Sequence, residues 1–204
     1  MKTALQPCLA LLLLGACIAP PSPGDEAPPA PEADLILRLD LSVSSSPFTS
    51  VECEWKQRLD QPYVFVEHLG SYTETGGRLG EVITAMRAQG LVPAGPPFAL
   101  FYDDPGRVPA GQLRSRACVP VAARVSPTGP LAFDLLPSTT VVYAYGAGPY
   151  PEIPRMYPGL YRYMAGFGWV EDGPIREIYL VDPGSVSDFS RLVTEVQIPV
   201  RHGE

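Results

Sequence analysis

The sequence predicts an α+β fold: an antiparallel sheet with helices on one face, built as a pseudo-twofold pair of strand–helix–strand–strand modules. Three observations carry that prediction. Slid against itself by 78 residues, the chain aligns without a gap from Val64 to Pro105, with 11 identities in 42 positions. Hydrophobic periodicity switches between two and 3.6 in the same order in both copies. Finally, 25 prolines in 204 residues exclude a helical bundle, because each proline in a helix interior costs about 3 kcal/mol. A hydrophobic fraction of 46% still supplies a core, which separates the chain from disordered compositions. Two copies are too few for a solenoid, which needs about three or more repeats.

The first 33 residues do not read as fold. Met1-Lys2 and the apolar run Cys8–Leu14 make a segment too short for a membrane span of about 20 residues, and one that fits an export signal. Leu14-Gly15-Ala16-Cys17 resembles the bacterial lipobox. That resemblance implies a signal peptide over 1–16 and diacylglycerol on the Cys17 thiol; ordinary cleavage nearby, with Cys17 a bystander, is the alternative. Residues 17–33 follow as a tether with prolines at 20, 21, 23, 28, 29 and 31. Extended at about 3.1 Å per residue, it reaches up to roughly 50 Å. The folded domain is expected over 34–204.

Within it, Leu35–Val43 reads as an extra strand without a counterpart. Module one occupies about 51–121 and module two about 129–200. The first opens with strands Val51–Arg58 and Tyr63–His68, broken by Asp60-Gln61-Pro62; the second with Leu131–Leu136 and Val141–Tyr145, broken by Pro137-Ser138. A helix over Glu74–Gln89 shows Leu79, Val82, Ile83 and Met86 at helical spacing and stops at Gly90. Its counterpart carries Tyr157, Leu160, Tyr161 and Met164, and starts near Pro158 because a first-turn proline is tolerated. Phe98–Asp103 with Leu113–Val121, and Ile175–Val181 with Leu192–Val200, complete the modules.

Paired modules leave a groove along their pseudo-twofold axis. Alternation puts Ile178 and Leu180 on one face of their strand, Glu177 and Tyr179 on the other. With Ile178 and Leu180 taken as the helix-packed side, Glu177, Tyr179, Ala99 and Phe101 line the groove, joined by Phe65, Glu67, Tyr143 and Tyr145. An aromatic-walled cavity with few polar groups suits a small molecule. Glu177 stands where the other copy has Ala99, so symmetry breaks at a mid-strand carboxylate, a depleted position. An exposed face or an ion pair with Arg155 or Arg162 is the competing account.

A net charge of −7 disfavours nucleic acid as a partner. The two histidines, His68 and His202, supply no metal site, and His68 as a haem ligand would lie beside Val64 and Val66 on a core face. No nucleophile elbow or phosphate loop is present. With Cys17 lipidated, Cys53 and Cys118 remain, either bridged or as two separate buried thiols.

Residues from about 51 to 200 resemble the GyrI-like small-molecule-binding domain, also called the AraC-type effector-binding domain and distantly related to SOUL proteins. The resembling pieces are Gly148-Pro149-Tyr150, Gly95-Pro96-Pro97-Phe98 with Phe101-Tyr102-Asp103-Asp104-Pro105, Glu177-Ile178-Tyr179-Leu180 with Asp182-Pro183, and Ile198-Pro199-Val200. The resemblance implies a groove between modules, with Glu177 as the electrostatic centre for cationic, aromatic drugs. No DNA-binding helices precede the domain, so a regulator's role is not carried over. The reading is a standalone, membrane-tethered binder in the bacterial cell envelope, without a cofactor. The ligand residues are Glu177, Tyr179, Tyr143, Tyr145, Phe101 and Phe65. One alternative is a hydrolase of strained electrophilic natural products using Glu177; another is an envelope interaction protein with a vestigial groove.

If Cys17 is the anchor, Cys17→Ser releases the protein from membranes or stalls it as precursor. Membrane fractionation with intact mass checks this, and a normally processed, fully membrane-bound mutant would refute it.

Overall fold

The computed structural model describes residues 39–203. The expected export signal, Cys17, the expected tether and residues 34–38 lie outside the described residues. Among the described residues, ten strands form one sheet, antiparallel except for a single parallel pair. They are β1 (Val43–Ser45), β2 (Glu54–Arg58), β3 (Gln61–Leu69), β4 (Phe98–Phe101), β5 (Arg114–Pro120), β6 (Ala132–Leu136), β7 (Thr139–Ala147), β8 (Trp169–Glu171), β9 (Ile175–Tyr179) and β10 (Val193–His202). Helices α1 (Thr75–Ala88) and α2 (Tyr157–Gly166) follow β3 and β7.

The elements recur at the spacing of the sequence repeat. β2 and β3 start at 54 and 61, β6 and β7 at 132 and 139, and the helices end at 88 and 166. Gly90 and Gly168 end them alike, with φ of 66° and 67°, a conformation in which a side chain is strained. The α2 start agrees with the expected tolerance of Pro158, which occupies its first turn.

Register shows how the halves interlock. β2 does not pair with the strand that follows it. Its residues Glu54 to Arg58 lie opposite Tyr143 to Thr139 of β7, and in the same register Gln61 to Phe65 of β3 lie opposite Leu136 to Ala132 of β6. The runs 54–65 and 132–143 thus form one long ladder bridging both halves. From β7 the pairing passes to β10, β9, β4, β5 and back to β3, so the sheet closes on itself. At its centre β4 meets β9 with Phe98 opposite Ile178, Ala99 opposite Glu177 and Leu100 opposite Arg176. Ala99 and Glu177 are the pair 78 residues apart, so the pseudo-dyad passes between them.

Both helices pack on the outside of this closed sheet. Val82 and Met86 of α1 cover Val64, Ala117 and Val119, while Leu160 and Met164 of α2 cover Val142, Ala144, Val196 and Ile198. Inside the sheet sits a separate cluster of Tyr63, Phe65, Phe98, Leu100, Cys118, Leu136 and Ile178.

Three expectations change. The strand expected at Leu35–Val43 is seen among the described residues only as β1, running parallel to the end of β7. Val51 to Cys53 belong to no strand; this segment packs on α2, where a Cβ on Gly159 would lie 2.9 Å from that of Val51. The short β8, pairing the end of β10, was not foreseen. Cys53 and Cys118 are free thiols: Cys118 is enclosed within the sheet, while the half-buried Cys53 packs on the outer α2 core.

Gly146 of β7 faces α2 so closely that an added Cβ would overlap the Met156 sulfur and come within 3.2 Å of Phe48. Both neighbours are buried, so Gly146→Ala should cost about 1–3 kcal/mol by overpacking. Exposed Gly80 of α1 has nothing within 4 Å of its would-be Cβ, and Gly80→Ala should instead gain about 0.5–1 kcal/mol from helix propensity. Urea unfolding of the two variants checks both signs.

Candidate functional site

α1 rests on β3 and β5, and α2 on β7, so the central pair β4–β9 forms the floor of a trough between them. Residues directly opposite on neighbouring strands share a face. Glu177 lies opposite Val196, and Val196 opposite Ala144; both belong to the core beneath α2. Glu177 therefore points to the helix side, on the dyad, and Tyr179 shares its face by alternation; Ile178 and Leu180, expected to pack under the helices, face the interior cluster instead.

The trough is filled by the protein's own aromatic rings. Tyr150 packs on Tyr179 at 4.8 Å between ring centres, and Tyr72 on Phe101 at 4.7 Å. Both outer tyrosines are pinned by their hydroxyls: that of Tyr72 donates to the Asp103 carbonyl at 2.9 Å, that of Tyr150 to the Val181 carbonyl at 3.4 Å. Tyr157, the first residue of α2, donates to Glu177 Oε1 at 2.5 Å, and Tyr179 donates to Oε2 at 3.4 Å.

Glu177 is only 5% exposed. Burial pushes its carboxyl up to about 7 against the downward pull of the two phenols. No cation among the described residues neutralises it; Arg155 instead approaches Glu152, at 3.9 Å. Burial and the adjacent carboxylate raise Tyr157 well above the ordinary phenol range, so the phenol remains the proton donor in this contact. The site is an acid poised to change charge near neutrality, with aromatic neighbours and no counter-ion. Among the described residues no group of three or more His, Cys, Asp or Glu side chains could hold a metal ion.

The six expected ligand residues divide between the two faces of the sheet. Glu177, Tyr179 and Phe101 meet in the trough. Phe65, Tyr143 and Tyr145 do not join them, since Ala99 lies level with Ala117 and then Val66, and Val196 with Ala144. Their shared face is the other one, and their partners are taken. Lys56 Nζ sits 3.7 Å over the Tyr143 ring, Arg116 lies 4.0 Å over Phe65, and both tyrosine hydroxyls donate to Asp40 at 2.9 Å. Parity within one strand is legible from sequence, but parity between strands depends on register. Tyr157 was visible only as a member of a helical stripe; nothing in the spacing signals its bond to Glu177. Trp169 packs at the α2 terminus, stacked on Phe167 at 4.8 Å. Buried His68 accepts a bond from Arg78. The cleft of about 340 Å3 behind α2, lined by Val51, Arg155, Arg162 and Tyr163 among others, contains no carboxylate and lies away from Glu177.

The GyrI-like small molecule binding domain family matches residues 52–201. No curated protein matches the sequence. Among solved structures, the C-terminal domain of EcmrR shares 20% identity at a TM-score of 0.65, covering 75% of this chain and 99% of that one. The EcmrR–DNA complex shares 18% at 0.67 over 74% of this chain, which spans only 58% of the EcmrR chain. SAV2435 bound to tetraphenylphosphonium shares 12% at 0.50, covering 74% and 94%. At these identities the likeness is one of fold.

A carboxyl raised from 4.5 to about 7 on folding binds more protons in the folded than in the unfolded state between those values. Its cost to stability is therefore absent below about pH 4.5, grows through that window and is full above pH 7. Glu177→Gln should match the parent at pH 4 and exceed it by about 3 kcal/mol at pH 8, as read by urea unfolding at both pH values. A constant difference would place the ionisation elsewhere.

Proposed function

Because this chain belongs to the GyrI-like small-molecule-binding domain family, we propose that it captures small amphipathic aromatic or cationic molecules in the trough between α1 and α2, without turning them over. One observation carries the reading: a fully enclosed carboxyl on the pseudo-dyad, held by two phenols and lacking any positive partner among the described residues. A delocalised organic cation offers what the site lacks. Its charge would replace the Tyr157 hydroxyl at Glu177, and the rings of Tyr72, Phe101, Tyr150 and Tyr179 would flank it, each cation–π contact contributing about 0.5–2 kcal/mol. That SAV2435, of like fold, is bound to tetraphenylphosphonium supports the choice of ligand class.

Such a ligand favours ionised Glu177, so binding below pH 7 releases a proton. The lipobox-like Leu14–Cys17 and the proline-rich segment behind it support placing this binder at the bacterial cell envelope, tethered through Cys17. A second reading rests on the same group: a carboxyl near 7 also suits a general base, whose best pKa lies close to the working pH. In that reading the protein hydrolyses a strained electrophile that enters the trough.

Titration calorimetry with tetraphenylphosphonium separates the readings. Glu177→Gln should weaken binding by about 1.5–3 kcal/mol, the range for a hydrogen bond or contact to a charged group, and leave a neutral aromatic of similar size nearly unaffected. Equal affinity of both proteins for the cation would refute the proposal. The hydrolase reading requires instead that Glu177→Gln retains binding of the electrophile and loses its turnover.

A further inference from the structure

The opposite face of β9 carries a second buried charge, next in sequence to Glu177 and of opposite sign. Arg176 points into the closed sheet and is 4% exposed. Its guanidinium lies 4.0 Å over the Phe98 ring, and its terminal nitrogens donate to the side-chain oxygens of Gln61 and, at 3.4 Å, Gln197. Its Nε has no partner. Half-buried Arg58, three residues before Gln61, likewise has a buried Nε without a partner, while its Nη2 donates to the Pro137 carbonyl at 2.8 Å.

No carboxylate among the described residues pairs with either arginine. Glu195, the one carboxylate whose charge supports Arg176, is already engaged by Lys56 at 2.7 Å and by the Gln197 amide at 2.7 Å. An interior guanidinium without a counter-ion is costly, and a second one beside it raises that cost. Burial and then the Arg58 charge depress the Arg176 pKa to about 10, with Glu195 pulling the other way. In a chain of net charge −7, this local positive excess runs against the whole.

We propose that Arg58 and Arg176 form a second ligand site inside the closed sheet, for a small oxyanion: a free inorganic ion, or the terminal carboxylate or phosphate of a larger molecule. The two unpartnered Nε–H groups supply the donors, and a planar guanidinium suits an oxyanion better than a lysine would. Entry is from the end of the sheet where Arg58 and Gln61 reach solvent. The site is separated by the sheet from the trough and is independent of what Glu177 binds.

Thermal unfolding of the full chain in rising inorganic phosphate, at ionic strength held constant with sodium chloride, tests this. At phosphate about 100 times its Kd the midpoint should rise by roughly 5–10 °C. Arg58→Gln, at a half-buried position, should cut the apparent affinity at least tenfold. Without phosphate, Arg176→Met should be no less stable than the parent if it folds; Arg58→Gln carries the test if it does not. Tighter binding of phenyl phosphate than of phosphate assigns the site to the end of a larger molecule; equal binding assigns it to the free ion. An identical phosphate response in the parent and Arg58→Gln, or a rise that follows ionic strength whatever the anion, overturns the proposal.

Discussion

The contact on which the site depends is the pairing of Ala99 with Glu177 across the centre of the sheet. Directly opposed residues on antiparallel strands stand only about 4.5–5.5 Å apart at Cα. A pseudo-dyad passing between them forces the two copies of one position to face each other at that distance. Glutamate in both places would bury two like charges side by side; alanine in both would leave no charge. One of each satisfies the space and leaves a single enclosed carboxyl. The symmetry must therefore break where the halves meet.

The closed sheet determines how each charge is housed. β9 is an inner strand, paired on both sides by β4 and β10, so neither of its faces opens at an edge. Glu177 is covered from the helix side by Tyr157 and Tyr179. Arg176, one residue earlier, is covered from within by Phe98 and two glutamines. Adjacent residues of opposite sign do not neutralise each other, because alternation sends them to opposite faces. Glu177 is left with polar but uncharged company, and Arg176 with two glutamines and the like charge of Arg58, so each is sensitive to what else enters its side.

Much of this was legible in the sequence. The 78-residue repeat gave the order of elements in both halves, the glycines that end the helices and the substitution at Glu177, because these depend on local patterns that recur. The relation between strands was not legible. Phe65, Tyr143 and Tyr145 looked like groove residues because their strands alternate cleanly, yet pairing partners such as Ala117 with Val66 turn them to the inside. The exchange by which β2 joins β7 and β6 joins β3 leaves no local mark, since both strands read alike with either partner. Arg176 and Lys56, ordinary charged residues in strand patterns, signalled nothing until the sheet was closed around them.

Closure also has a consequence for the order in which the chain can fold. β10 is the last of the described strands along the chain, and it pairs with β7, β9 and β8. Until those final residues emerge, β7 lacks its main neighbour and the core beneath α2 lacks Val196 and Ile198. The long ladder adds a second delay, since Glu54 has to wait for Tyr143. Contacts so distant along the chain make for slow, late assembly. The first half can form α1 and the β3–β5 pair as they leave the ribosome, but the circle stays open to the end. β10 is thus the strand that closes the circle.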